Sequence, residues 1–210
     1  MRRPTFIAEQ ARHARGPLGR LIAFIMARET WATNRAAIDA LEVQTHDQIL
    51  DLGCGPGRAL EALAVRATNG RVVGADPSEL MVEIAAGRMR CLIRAGRVDV
   101  TVAGVEKLPF GTASFDKVLC VHVIYFWPDL DAGLRELARV VKPGGRLVLV
   151  FRDGADPTGA QTFPAEVYRF RTLTEVRHAL DCAGFDVLEA EVRTPVRLIA
   201  RCRGATAEAS

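Results

Sequence analysis

The chain has 210 residues, 49% of them hydrophobic, which suits a single α/β core with modest additions rather than two domains. A formal net charge of +3 is too small to point to nucleic acid, and no apolar run is long enough to span a membrane. Five cysteines (Cys54, Cys91, Cys120, Cys182, Cys202) are odd in number and scattered, with no Cys-x-x-Cys pair, so reduced thiols in a cytoplasmic protein are expected rather than a disulfide framework or a metal site.

Residues 1–40 precede the first strand pattern and are expected to form a helical extension to a domain covering 41–210. Leu18, Leu21, Ile22, Ile25 and Met26 recur at helical spacing as one apolar stripe, expected to pack inward. Trp31, Ile38 and Leu41 make a second stripe, with Asn34 at a position that should also face inward. Residues 1–35 carry seven arginines against two acids, so the outer face is basic. Two readings follow: a solvated helix resting its stripe on the domain, or a lid with Trp31 and Asn34 lining a pocket. The Arg-rich start is like a mitochondrial presequence, but Glu9, Glu29 and the lack of serine argue against one. A basic amphipathic segment of this kind also suits a membrane surface.

The stretch Ile49–Gly57 organises the rest. A short apolar strand runs into Gly53, Gly55 and Gly57 at alternate positions, and a helical run follows from Arg58 to Arg66. Glycine lets a ligand lie against the backbone, and the amides at a helix start receive negative groups. A dinucleotide fold needs Gly-x-Gly-x-x-Gly, and Arg58 stands at its last position. No Gly-Lys-Ser/Thr closes the loop as a phosphate cradle would require. Asp51, inside the strand, instead suits a cationic ligand with an ammonium group to donate. Asp51-Leu52-Gly53-Cys54-Gly55-Pro56-Gly57 resembles the first motif of the class I S-adenosylmethionine-dependent methyltransferases. The resemblance implies that Asp51, Gly53, Cys54, Gly55 and Gly57 hold the methionine end of that cofactor.

A second strand from Arg71 ends in Asp76, about twenty residues beyond the loop, where an acid reaches a ribose. In the family this acid grips both ribose hydroxyls; capping of the helix opened by Pro77 and Ser78 is the structural alternative. Pro77 is expected among the cofactor-binding residues and Met81 near the adenine, with core packing as the alternative for Met81. The third strand, Val98–Ala103, leads to Gly104-Val105-Glu106-Lys107-Leu108-Pro109-Phe110, where many relatives read Gly-Asp-Ala-Glu-x-Leu-Pro-Phe. Gly104 stands where the adenine-binding aspartate would be, so backbone groups around Val105, or Glu106, are the expected substitutes.

The fourth strand, Ser114–His122, is followed by Val123-Ile124-Tyr125-Phe126-Trp127-Pro128-Asp129. In an open α/β sheet the ligand crevice lies at the carboxyl strand ends where the order reverses, beside the first and fourth strands. Cys120 is placed there as a packing residue beside the donor. His122 and Tyr125 are the candidate general bases, with a hydrogen-bonded wall as the alternative for His122. A base is dispensable in similar enzymes, because a sulfonium is already an excellent leaving group and positioning supplies the rate.

Helix Leu130–Val141 ends at Lys142-Pro143-Gly144-Gly145, which turns the chain into strand Arg146–Phe151; Val141-Lys142-Pro143-Gly144-Gly145 is also similar to the family's pattern. Residues 152–171 read as a polar connection in which Tyr168, Arg169 and Arg171 either recognise the acceptor or are solvated. Thr172-Leu173-Thr174-Glu175 is a capping box for a helix stopped by Gly184. Asp186–Arg193 and Val196–Arg203 alternate as a closing hairpin, and Gly204–Ser210 reads as a frayed tail.

The expected fold is a doubly wound, mainly parallel, seven-stranded Rossmann-like sheet with a C-terminal antiparallel hairpin. The resemblance covers about residues 40–203 and implies methyl transfer from S-adenosyl-L-methionine to a small-molecule acceptor. Against nucleic acid as acceptor stands the absence of Asn/Asp-Pro-Pro-Tyr/Phe after the fourth strand, where Val121-His122-Val123-Ile124 is found. A non-catalytic binding partner is the other alternative, favoured only by Gly104. Oligomeric state is left open, a homodimer included.

Overall fold

The apolar run Gln48–Leu52 forms β1 at the centre of the sheet. The computed structural model describes residues 4–203, the side chain of Ala160 excepted. The expected tail at Gly204–Ser210 lies outside the described residues. Three helices precede β1: α1 (Thr5–Arg12), α2 (Gly16–Glu29) and α3 (Trp31–Ala40). After it come α4 (Arg58–Arg66), β2 (Arg71–Asp76), α5 (Glu79–Arg94), β3 (Val98–Val102) and β4 (Phe115–Val121). A 3₁₀ turn at Ile124–Phe126 leads to α6 (Leu130–Val140), β5 (Val141–Phe151), α7 (Pro157–Thr162), α8 (Leu173–Cys182), β6 (Phe185–Glu191) and β7 (Val196–Cys202).

The seven strands lie in the order β3-β2-β1-β4-β5-β7-β6, parallel except for the antiparallel β5–β7 and β7–β6 pairs. Both faces are covered, so the central strands are nearly continuously apolar. Leu50, Val118, Leu147 and Leu149 face α6 and α8, whereas Ile49, Val72, Leu119 and Val148 face α3 and α4. The order reverses between β1 and β4, and the crevice at their carboxyl ends is the place for a ligand.

The capping box at Thr172–Glu175 is formed reciprocally, and Gly184 follows α8 with φ 91°. Two expectations are corrected. The turn Lys142–Gly145 is not separate from strand β5: pairing with β4 already begins at Phe115–Val141 and resumes at Lys117–Arg146. The residues between form a bulge, with Gly144 at φ 79° and Lys142 Nζ held 2.8 and 2.9 Å from the two Asp116 oxygens. The connection 152–171 is not purely loop, since it contains α7, with Pro157 at its first turn and Asp156 as its cap.

The apolar stripe of α2 is also corrected. Gly19, Ile22 and Ala23 are buried, while Leu18, Leu21 and Ile25, together with Phe24, are exposed. The cause is close approach at Gly19, where a Cβ would fall 3.1 Å from both the Ala14 carbonyl carbon and Leu80 Cδ2. The helix therefore seats its small-residue face on α5, where Ala14, Ala23 and Met81 pack together. By contrast α3 packs on one face of the sheet through Ala37 and Ile38, with Leu41 behind them, while α1 reaches the core of the other face through Ala8.

Candidate active site

All three loop glycines have positive φ: 75° at Gly53, 53° at Gly55 and 77° at Gly57. They nevertheless do different things. The Gly53 and Cys54 amides both donate to the Ala75 carbonyl, at 2.7 and 3.1 Å, which folds the loop against β2. A Cβ on Gly53 would lie 2.1 Å from Val123 Cγ1, whereas one on Gly55 would meet nothing within 4 Å. Gly55 thus presents bare backbone to the cavity it lines. Gly57 is not in the lining; a Cβ there would come 2.9 Å from Ala85 Cβ, so its smallness serves the packing of α4 on α5.

Two carboxylates meet at this loop. Asp76 Oδ2 accepts the Gly55 amide at 2.9 Å, and its Oδ1 accepts the Ser78 amide at 2.9 Å. Asp76 therefore braces the loop and the start of α5 at once, while Ser78 is the residue that caps α5 itself. Asp51 is 3% exposed, and its Oδ2 is buried with no hydrogen-bond partner among the described residues. Burial, reinforced by the negative charge of Asp76, pushes the Asp51 carboxyl up to about 7. Burial also raises Asp76, against the opposing pull of the Ser78 and Gly55 amides. Paired raised acids around an orphaned oxygen are a site arranged for a cationic, hydrogen-bond-donating group.

The roof comes from the N-terminal helices. Ala14, at the α1–α2 link, is tied down by Ser78 Oγ, which donates to its carbonyl at 3.1 Å. Ala23, Met26 and Ala27 of α2 and Trp31 and Asn34 of α3 line the cavity, as do Pro77 and Met81 across from them. The Arg58 guanidinium lies 4.3 Å from the Trp31 ring centroid and donates to the Ala27 carbonyl at 3.0 Å. This locks α2 and α3 onto the first turn of α4.

Gly104, Val105 and Glu106 line the adjoining part of the cavity. A Cβ on Gly104 would fall 2.3 Å from Glu106 Oε2. The Glu106 carboxylate therefore fills the space that a side chain at position 104 would enter.

His122 follows β4 directly with φ 58°, a left-handed backbone rarely adopted by a side-chain-bearing residue, and it lines the cavity. Burial, with the nearby Arg152 charge, pushes its imidazole down to about 4. Tyr125 stands behind it and outside the lining, 3% exposed. Its hydroxyl is 3.1 Å from His122 Nδ1 and accepts the Arg152 amide. Burial raises the phenol further from ionisation, so Tyr125 has neither the reach nor the acidity of a direct base.

Tyr168 and Arg169 do not line the cavity. Tyr168 packs in an aromatic group, with ring centroids 5.8 Å from Tyr125, 4.9 Å from Phe126 and 4.7 Å from Phe163. Arg169 donates through its amide to the Tyr125 carbonyl at 3.0 Å and through Nη1 to the Pro128 carbonyl at 2.8 Å. Both residues support the turn bearing Tyr125 instead of facing a ligand. Cys120 likewise sits in the core, and burial drives its thiol and that of Cys54 far above ordinary values. Lining residues beyond those expected include Arg12, His13 and Arg58. Only Arg58 had a local signal, its place at the first turn of the helix after the glycines.

Residues 50–149 match a family model described as a methyltransferase domain. The chain is 34% identical over 163 residues to methyltransferase GfsG of Streptomyces halstedii, across 72% of this chain and 57% of that protein. It is also 34% identical over 134 residues to the ubiquinone/menaquinone biosynthesis C-methyltransferase UbiE of Geotalea daltonii, across 63% of this chain and 56% of that one. The chain thus spans little over half the length of these two relatives. A solved S-adenosylmethionine-dependent methyltransferase from Methanosarcina mazei has the same fold, with a TM-score of 0.65 and 22% identity over 80% of this chain and 98% of that one. The matched segment begins in the strand that carries Asp51 and ends in the strand beyond His122, so the part of this chain that matches a methyltransferase domain is the part that builds the cavity floor.

Proposed function

We propose that the chain binds S-adenosyl-L-methionine and transfers its methyl group to a small-molecule acceptor. The observation that carries this reading is the buried Asp51 Oδ2, without a partner among the described residues, in the cavity lined also by the bare backbone of Gly55. An ammonium group would satisfy that oxygen, and a side chain at Gly55 would close the space for it. In this reading Asp76, already oriented by two amides, holds the ribose hydroxyls with its remaining lone pairs. Glu106, filling the place of a residue-104 side chain, accepts from the adenine amino group. When bound, the sulfonium supplies an activated methyl group and leaves as a neutral thioether.

A small acceptor is supported by the roof of α1–α3 and by the lining around His122. Met26, Ala27, Val123, Phe126 and Trp127 are apolar, and Thr30 and Asn34 are uncharged. Such a covered, largely apolar space suits a compact organic molecule better than a nucleic acid strand. The two curated relatives are a methyltransferase and one named for quinone C-methylation, in keeping with that class.

Titration calorimetry with S-adenosylhomocysteine tests the first half, and wild-type protein giving neither heat nor a thermal shift would sink it. Methyl-labelled donor incubated with a cell extract tests the second. Label is expected in the fraction passing a small-pore filter; label retained on RNA or protein would reassign the acceptor.

A further inference from the structure

The hydroxyl of Tyr125 makes hydrogen bonds with His122 and with the Arg152 amide, and the two are not equivalent. The Arg152 amide can only donate, so it occupies a lone pair of the phenolic oxygen. His122 Nδ1, at 3.1 Å, is either donor or acceptor according to where the imidazole keeps its proton. The phenol carries one hydrogen of its own, in a buried position ringed by Phe126, Tyr168 and Phe170. Among the described residues the Nδ1 lone pair lies within hydrogen-bond reach of that hydrogen. Were Nδ1 protonated, two donors would point at the phenolic oxygen and its hydrogen would be stranded, an arrangement that folded proteins avoid.

We infer that Tyr125 is a positioning residue that fixes His122 as the Nε2–H tautomer, so that the site offers its acceptor molecule a hydrogen-bond donor and not a base. The inference rests on the proposed methyl transfer for its consequence, but not for the tautomer itself. Nε2 has no hydrogen-bond partner among the described residues, and His122 lines the cavity. The left-handed backbone of His122 and the amide of Arg152, just past β5, hold the pair in place. The neutral ring is in keeping with this role, since burial keeps the imidazole from taking a second proton at physiological pH.

A fixed N–H donor aimed at the acceptor oxygen favours an oxyanion over the neutral hydroxyl it came from, against the burial that opposes charge. The acceptor class this selects is a weakly acidic phenol or enol, which gives its proton to water on entering the site. The anion's electron pair then forms the new bond to the methyl carbon. The pair of the broken carbon–sulfur bond stays on sulfur, whose positive charge is cancelled, and His122 neither gains nor loses a proton.

Nitrogen-15 NMR of the full chain, without ligand at neutral pH, reads the tautomer directly through long-range proton–nitrogen couplings. The chain has four histidines, and the His122 signals are those lost in His122→Gln. The expected pattern is an unprotonated Nδ1 and a protonated Nε2 in wild type, relaxing to a mixture in Tyr125→Phe, while S-adenosylhomocysteine affinity stays within about twofold. A proton on Nδ1 in wild type, or a tautomer unmoved in Tyr125→Phe, overturns the inference. Loss of S-adenosylhomocysteine binding in wild type would strike the proposed function and leave the tautomer measurement standing. The acceptor class is probed with 4-nitrophenol, whose absorbance reports ionisation. Protein loaded with S-adenosylhomocysteine should take it up as phenolate, its titration lowered by about one pH unit in wild type but not in His122→Phe. No uptake, or uptake as the neutral phenol, removes the assignment of class.

Discussion

The Gly55 amide donates to Asp76 Oδ2 at 2.9 Å, joining the glycine loop after β1 to the acid that ends β2. One carboxylate thus sets the shape of the loop and is also the proposed second binding determinant. Asp76→Ala removes the brace together with the proposed ribose contact. Charge-assisted hydrogen bonds contribute about 1.5–3 kcal/mol each, so S-adenosylhomocysteine affinity should fall by about 100-fold or more. Calorimetry checks this, and a loss below threefold would show that the acid does not face the ligand.

Asp51 links affinity to pH. Its carboxyl titrates at about 7, and only the ionised form suits an ammonium. Binding should therefore weaken about tenfold from pH 8 to pH 6. The stability effect has the opposite sign: the raised acid favours the folded, unliganded chain at low pH, and that advantage is lost as pH rises from about 4 to about 7. Asp51→Asn should accordingly raise the unliganded melting temperature above pH 7 while abolishing the ligand-induced shift. A scanning fluorimetry series across pH measures both.

Gly53 and Gly55 should separate stability from binding. A methyl at Gly53 meets Val123 Cγ1 at 2.1 Å with φ at 75°, so Gly53→Ala should cost about 2–4 kcal/mol in urea unfolding. A methyl at Gly55 meets no protein atom within 4 Å. Gly55→Ala should cost only about 1 kcal/mol, from its left-handed backbone, yet weaken S-adenosylhomocysteine binding by about tenfold or more. Equal effects on stability and binding in both variants would contradict this division.

Glu106 and Gly104 share one volume, since Glu106 Oε2 lies 2.3 Å from where a Cβ at 104 would be. Glu106→Gln should weaken binding by about three- to tenfold, because the amide oxygen still accepts and only the charge assistance is lost. The double variant Gly104→Asp with Glu106→Ala should restore it by returning a carboxylate from the neighbouring position. Calorimetry on the three proteins decides whether the acid has moved along the loop.

Much of this molecule could be read along the chain, because the forces involved are local. Alternate glycines need positive φ, Thr172 and Glu175 cap the helix that they open, and apolar runs between polar turns mark buried strands. Those signals brought out the sheet, Asp51, Asp76 and the end of β4. What folding alone settled concerns contacts between distant segments. Periodicity marked the apolar residues of α2 but not its roll, which follows from Gly19 meeting Ala14 and Leu80. No spacing rule places Tyr168 and Arg169 behind Tyr125, or the Arg152 amide on its hydroxyl. A side chain's type limits the hydrogen bonds it is able to make, but only the partners brought to it across the fold decide which of them it makes.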